Sequence, residues 1–121
     1  MSATGLDELA PIAVATVATV TPAGVEMGVI DPFSLGFAKC TIEDLKGGNA
    51  AQNAAILNRV FAGDLPGPIT DTVILNAAAG LYVAGTVRSI EEGCSVARAC
   101  IREGKAVDSL AKWVKCSQQP Q

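Results

Sequence analysis

The chain has 121 residues, half of them hydrophobic but only 4% aromatic, with no histidine and a net charge of −3. That length suits one modest domain, and the missing histidine removes Ser-His-Asp and Cys-His nucleophile systems along with histidine-ligated zinc or haem. The acidic balance argues against nucleic acid, whose recognition leans on Lys and Arg neutralising phosphates.

Met1 to Glu8 lacks a basic flank followed by an apolar stretch, so no secretory signal is expected. Within it, Gly5-Leu6-Asp7-Glu8-Leu9 sets two carboxylates side by side. Adjacent acids can hold hard cations such as magnesium, which take oxygen ligands and keep several waters. In non-helical backbone the two side chains diverge, so they can reach two different ions. A solvated N-terminal turn is the ordinary alternative for such a pair.

Two strands are expected next. Ala13 to Val20 alternates small apolar residues with threonine, and Val25 to Ile30 is a second short apolar stretch. Thr21-Pro22-Ala23-Gly24 between them has the proline and glycine of a tight turn. A lone hairpin is marginally stable, so these strands call for more sheet beside them. Nothing further along the chain reads as a third strand.

From Thr41 onward the pattern predicts about five helices. Thr41-Ile42-Glu43-Asp44 opens a short one with a threonine cap and early acids, and Gly47-Gly48 ends it. Asn49 caps the second, where Ala54, Leu57 and Phe61 share a face with Ile56 and Val60 alongside, and Gly63 stops it. After the loop Asp64 to Pro68, a third helix is expected over Asp71 to Ala84, capped by Thr70. It is apolar around most of its circumference, the mark of a helix buried on most sides. Ser89-Ile90-Glu91-Glu92 forms a capping box for the fourth, which runs to Gly104 with Ile90, Cys94, Ala97 and Ile101 on one face. Lys105 to Lys115 is the last, with Val107, Leu110, Ala111 and Val114 inward, and Ser117 to Gln121 is expected to fray.

Two further motifs bear on chemistry. Glycines ahead of a helix, as in Leu45-Lys46-Gly47-Gly48-Asn49, can cradle phosphate with backbone N–H groups. The full P-loop pattern is absent, and a glycine C-cap followed by an asparagine N-cap accounts for every residue. Asn76, inside the apolar helix, either positions a ligand or satisfies neighbouring backbone, and the structural reading is the stronger. The four cysteines, Cys40, Cys94, Cys100 and Cys116, form no Cys-x-x-Cys pair and read as dispersed buried thiols of a reducing compartment. The longest apolar run, Val73 to Ala84, is broken by Asn76 and Gly80 and falls short of a bilayer span. From the residues, the reading stops at a soluble, intracellular α/β piece with a candidate magnesium site.

The order of motifs carries more. Gly5-Leu6-Asp7-Glu8-Leu9, Val20-Thr21-Pro22, Asp31-Pro32 with Leu35-Gly36-Phe37, Glu43 to Gly48, Asn53-Ala54, Leu75 to Gly85, Glu91-Glu92-Gly93 and Gly104-Lys105-Ala106 follow one another in a familiar arrangement. Together they resemble the C-terminal part of the anthranilate phosphoribosyltransferase family, from Gly5 to about Trp113. The resemblance implies a partial nucleoside phosphorylase/phosphoribosyltransferase-like α/β domain, with residues 1–121 a single piece of a glycosyltransferase family 3-type domain. It also implies transfer of phosphoribosyl from phosphoribosyl pyrophosphate to anthranilate, in tryptophan biosynthesis. Asp7 and Glu8 match the family's acidic pair, which binds the Mg2+ ions accompanying the pyrophosphate.

The family's Gly-Thr-Gly-Gly-Asp loop, its upstream substrate-holding residues and its N-terminal helical domain, through which such enzymes dimerise, are absent from these 121 residues. Ala10 stands where the family has serine or threonine, and Ala13 and Val14 stand where glycine and proline are common. The implied reading is therefore a C-terminal fragment of a pentosyltransferase, inactive by itself, in the cytoplasm or in the plastid of a plant source. The alternatives are a non-catalytic structural or regulatory polypeptide that packs on a complementary partner chain, and a small divergent metal-binding module.

Overall fold

A computed structural model of the chain describes residues 5–118. Among them, two strands come first and four α-helices follow. Strand β1 (Ala15–Thr21) pairs antiparallel with β2 (Gly24–Ile30), in register from Ala15 opposite Ile30 to Thr21 opposite Gly24. Pro22 and Ala23 form the turn. The Thr21 hydroxyl accepts from the Ala23 N–H at 3.2 Å, and Gly24 takes φ 141°, which a side chain rarely tolerates. Strand β1 begins two residues later than the apolar pattern, and both strands run one residue further into the turn.

Alternation divides the hairpin into two faces. Ala15, Val17 and Ile30 lie on one, and Thr16, Ala18, Val20, Val25, Met27 and Val29 on the other. The second face is open: Val20 is 76% exposed and Met27 and Val29 are each 68% exposed. No third strand joins the sheet among the described residues, so the expected need for more sheet is left unmet within them.

The helices are α1 (Ala50–Ala62), α2 (Pro68–Val83), α3 (Ile90–Arg102) and α4 (Lys105–Ser117). The first of the five expected helices is a single 3-10 turn, Glu43–Leu45. Thr41 still organises it, because Asp44 accepts from both the Thr41 N–H at 2.8 Å and the Thr41 hydroxyl at 2.7 Å. Those two bonds hold the Asp44 carboxyl below its ordinary pKa. Helix α1 is capped as its sequence predicts. The Asn49 side chain accepts from the Gln52 N–H, the Gln52 side chain accepts from the Asn49 N–H, and Gly63 ends the helix at φ 79°. Its inward face turns to Ile56, Leu57, Val60 and Phe61, leaving Ala54 exposed.

Helix α2 begins three residues before the expected start, and Thr70 is not its cap. Pro68 occupies the first helical position, where a preset φ and a missing N–H both suit the geometry. The Thr70 hydroxyl instead donates back to the Leu65 carbonyl. In α3, Ser89 caps the helix by accepting from the Glu92 N–H at 3.1 Å. The Glu92 carboxylate reaches past Ser89 to the Arg88 N–H at 2.8 Å, so the box is shifted by one residue. Helix α4 continues to Ser117 with Gln118 as its cap, so the expected fraying does not begin at Ser117, and the rest of that expectation, 119–121, lies outside the described residues.

The core is small. Phe37, Ile74, Leu75, Ala78, Cys94 and Ala97 form it, with Leu9, Ile30, Leu35, Ile90 and Ile101 packed against it. Phe37 comes from a turn in which Asp31 caps the Phe33 N–H at 2.9 Å and Phe37 donates to the Pro32 carbonyl at 3.1 Å. Arg98 covers the outer side of Phe37, its guanidinium 5.0 Å from the ring centre and 3.7 Å from Asp71. Outside this core, coverage is partial. Val83 is 85% exposed at the end of α2, Trp113 is 69% exposed, and the expected inward face of α4 holds no buried residue. An apolar hollow of about 460 Å³ opens among α1, α2 and α3 between Phe61, Ala77, Gly80, Leu81 and Ile101. Of the cysteines, Cys40 and Cys94 are buried as expected, while Cys100 is half-buried and Cys116 is exposed. No helix of the described residues is long and apolar enough to cross a membrane.

Candidate metal centre

Asp7 and Glu8 are both exposed, at the rim of a groove of about 690 Å³. The groove runs between the N-terminal segment, the start of β1 and one side of α2, and Thr16, Asn76 and Ala79 line its far wall. The backbone from Gly5 to Ala10 is neither helix nor strand.

What holds this segment in place is Asn76. Its side-chain oxygen accepts from the Leu9 N–H at 3.1 Å, and its amide nitrogen donates to the Leu9 carbonyl at 2.6 Å, across 67 residues of sequence. The same nitrogen donates to the Thr72 carbonyl at 2.8 Å, one turn back in α2. Both amide hydrogens are therefore used on backbone, which supports the structural reading of Asn76. A second tie lies further on, where the Cys40 N–H donates to the Pro11 carbonyl at 2.9 Å.

The donor set suits a hard cation. The two carboxylates offer only oxygen, and no Lys or Arg lines the groove among the described residues. Neither acid is engaged in a salt bridge among those residues. No group of three or more Asp, Glu or Cys gathers there among the described residues, so an ion held by this pair would complete its shell with water or a phosphate-bearing ligand. Asp7 and Glu8 thus fit Mg2+ in the hydrated manner that ion prefers.

The alternative phosphate cradle fails on geometry. The Gly48 N–H donates to the Asn53 side chain at 2.7 Å and the Asn49 N–H to Gln52 at 2.9 Å, so the helix's own side chains occupy these donors. A Cβ on Gly47 would meet the Asn53 side chain, which accounts for glycine there without a ligand. The buried thiols offer no nucleophile. Burial pushes Cys40 up, with Asp44 and Asp71 adding to the shift; it also raises Cys94 despite the nearby Arg98.

Sequence reasoning did not place Thr16 at this groove. Its alternation with apolar neighbours identifies a strand face, but that the start of β1 lies beside the N-terminal segment and Asn76 is decided by tertiary packing.

Residues 1–107 match the family model described as "Glycosyl transferase family, a/b domain", and the chain belongs to that family. Its relatives within the family are anthranilate phosphoribosyltransferases. It is 44% identical over 115 residues to that of Geotalea uraniireducens (strain Rf4), covering 95% of this chain and 33% of the relative. It is 48% identical over 90 residues to that of Chlamydia felis (strain Fe/C-56), covering 74% of this chain and 26% of the relative. Among solved structures it is similar to the anthranilate phosphoribosyltransferase of Thermus thermophilus, with TM-score 0.77 and 34% identity over 92% of this chain and 32% of that one. A serine-to-alanine variant of the Saccharomyces cerevisiae enzyme with Mg bound matches with TM-score 0.82 and 26% identity, over 91% of this chain and 32% of that one. The chain spans between about a quarter and a third of the length of these relatives.

Proposed function

We propose that the chain is the C-terminal, metal-binding part of an anthranilate phosphoribosyltransferase, and that it acts in phosphoribosyl transfer only when the remaining part of the catalytic domain is present. The observation that supports this reading is that Asp7 and Glu8, the family's acidic pair by resemblance, line a groove with no Lys or Arg among the described residues. The Mg bound in the yeast relative is consistent with it.

The substrates on this reading are phosphoribosyl pyrophosphate and anthranilate. Bound at Asp7 and Glu8, Mg2+ supplies positive charge against the pyrophosphate that leaves C1 of the ribose. The chain's own residues hold that charge in place: the carboxylates bind, and Asn76 anchors the backbone that carries them. Anthranilate contributes the attacking amine, and no histidine base is required from this chain. The whole enzyme works as a homodimer through a domain outside these 121 residues. Four free thiols, two of them deeply protected, suit the cytoplasm or another reducing compartment such as a plastid.

Release of pyrophosphate from phosphoribosyl pyrophosphate and anthranilate tests the reading. The purified chain is expected to show none above a metal-only control. Adding the unmatched two thirds of the Geotalea relative is expected to produce turnover, and Asp7→Ala with Glu8→Ala to remove it. Turnover by the chain alone, or turnover unaffected by the double substitution, overturns the reading.

A second reading is favoured by the open hairpin face of Val20, Val25, Met27 and Val29: a non-catalytic polypeptide that packs on a complementary partner. Formation of a stable complex without turnover in the same mixture is its signature.

A further inference from the structure

Asn76 interrupts an otherwise apolar stretch of α2, from Val73 to Ala79, where an amide is a poorer helix former than the alanines around it. Its side chain is a peptide group in miniature, with one carbonyl and one NH2. It meets both backbone polar groups of Leu9, at 3.1 Å and 2.6 Å, as an adjacent strand would. Leu9 belongs to no strand, so this amide replaces the ladder partner the segment lacks. The Leu9 side chain packs against the core from the same position. Glu8 is the next residue back and Asp7 the one before. With about 3.8 Å between successive Cα atoms, both carboxylates hang within two residues of this fixed point.

We propose that Asn76 is a positioning residue for the acidic pair, fixing where Asp7 and Glu8 enter the groove by gripping the Leu9 backbone. This rests on the metal-binding reading above. Asn76 does not ligate the metal through its nitrogen, because both amide hydrogens are committed to carbonyls. Its contribution is to remove freedom from the segment, so that two weak ligands are presented together rather than separately.

Mn2+, a paramagnetic stand-in for Mg2+, tests this on the full chain in the presence of inorganic pyrophosphate. Electron spin resonance reads the affinity, and amide line broadening reads the location. In the unaltered chain, broadening is expected to centre on Asp7 and Glu8, and the Leu9 amide to be protected from exchange. Asn76→Leu, close to isosteric and favourable in a helix, is expected to unprotect Leu9 and weaken Mn2+ by about tenfold, with helical circular dichroism unchanged. Asn76→Ala serves the same comparison where leucine disturbs folding. Asn76→Gln, which keeps the amide on a longer stem, is expected to regain most of the affinity. Unaltered Mn2+ affinity in a folded Asn76→Leu or Asn76→Ala chain overturns the positioning role and leaves the metal reading standing. Mn2+ binding that does not respond to Asp7→Ala with Glu8→Ala overturns the metal reading itself, and the positioning role with it.

Discussion

Gly93 of α3 lies against the backbone of Ala78 in α2, so closely that a Cβ on Gly93 would sit 2.8 Å from the Ala78 carbonyl oxygen and 2.9 Å from its Cα. Ala78 is fully buried, and the α2–α3 contact is the most extensive between helices. The obstructing atoms are main chain and cannot rotate aside.

Gly93→Ala is therefore expected to destabilise the chain by about 1–3 kcal/mol, even though alanine is the better helix former. Urea unfolding followed by circular dichroism checks this. A stability gain would mean that the two helices separate more readily than their contact implies.

Asp71 gives a pH dependence of definite sign. Burial raises its pKa above 3.8, and Arg98 at 3.7 Å only partly offsets the shift. A carboxyl that ionises less readily in the folded chain favours folding while it is protonated, and that contribution is lost as pH rises through its raised value. Asp71→Asn is expected to flatten this part of the profile, its advantage over the unaltered chain growing as pH rises from the ordinary carboxylate range through the raised value. Thermal midpoints measured in parallel across that range decide it, and a difference independent of pH counts against it.

Thr72 is expected to be better replaced. Its hydroxyl oxygen is buried and, among the described residues, finds no hydrogen-bond partner. Thr72→Val keeps the shape and removes the unsatisfied group, which is expected to stabilise by about 1 kcal/mol. A loss of similar size, seen as a lower urea midpoint, would reveal a partner for the hydroxyl.

Hydrogen exchange is expected to divide the chain in two. Amides of β1 and β2 outside Ala15 and Ile30 exchange much faster than those of α2 around Ile74 and Leu75. The hairpin rests on one pairing and little burial, whereas α2 lies in the core. Equal protection throughout would indicate one cooperative unit including the hairpin.

Much of this organisation was legible in local chemistry. Pro22 to Gly24 marks the hairpin turn, Asn49 and Gly63 bound α1, and Ser89 starts α3, because turns and caps are settled by a few neighbouring atoms. The start of α2 was not, since Pro68 competes with Thr70 as a start signal and the proline prevails. The circumference of α2 and the inner stripe of α4 both signal burial that these residues do not provide. The acidic pair was visible as chemistry, but Thr16 and the Leu9–Asn76 link join positions far apart in the chain, which no short-range pattern encodes.

The hairpin carries a liability for the molecule's life in a cell. Among the described residues both long edges of the two-strand ribbon lack a neighbouring strand, beside an apolar face broken chiefly by Thr16. Such a ribbon is a template on which foreign strands assemble. Chaperones and proteases recognise the same features, so covering those edges is expected to lengthen the lifetime of the chain.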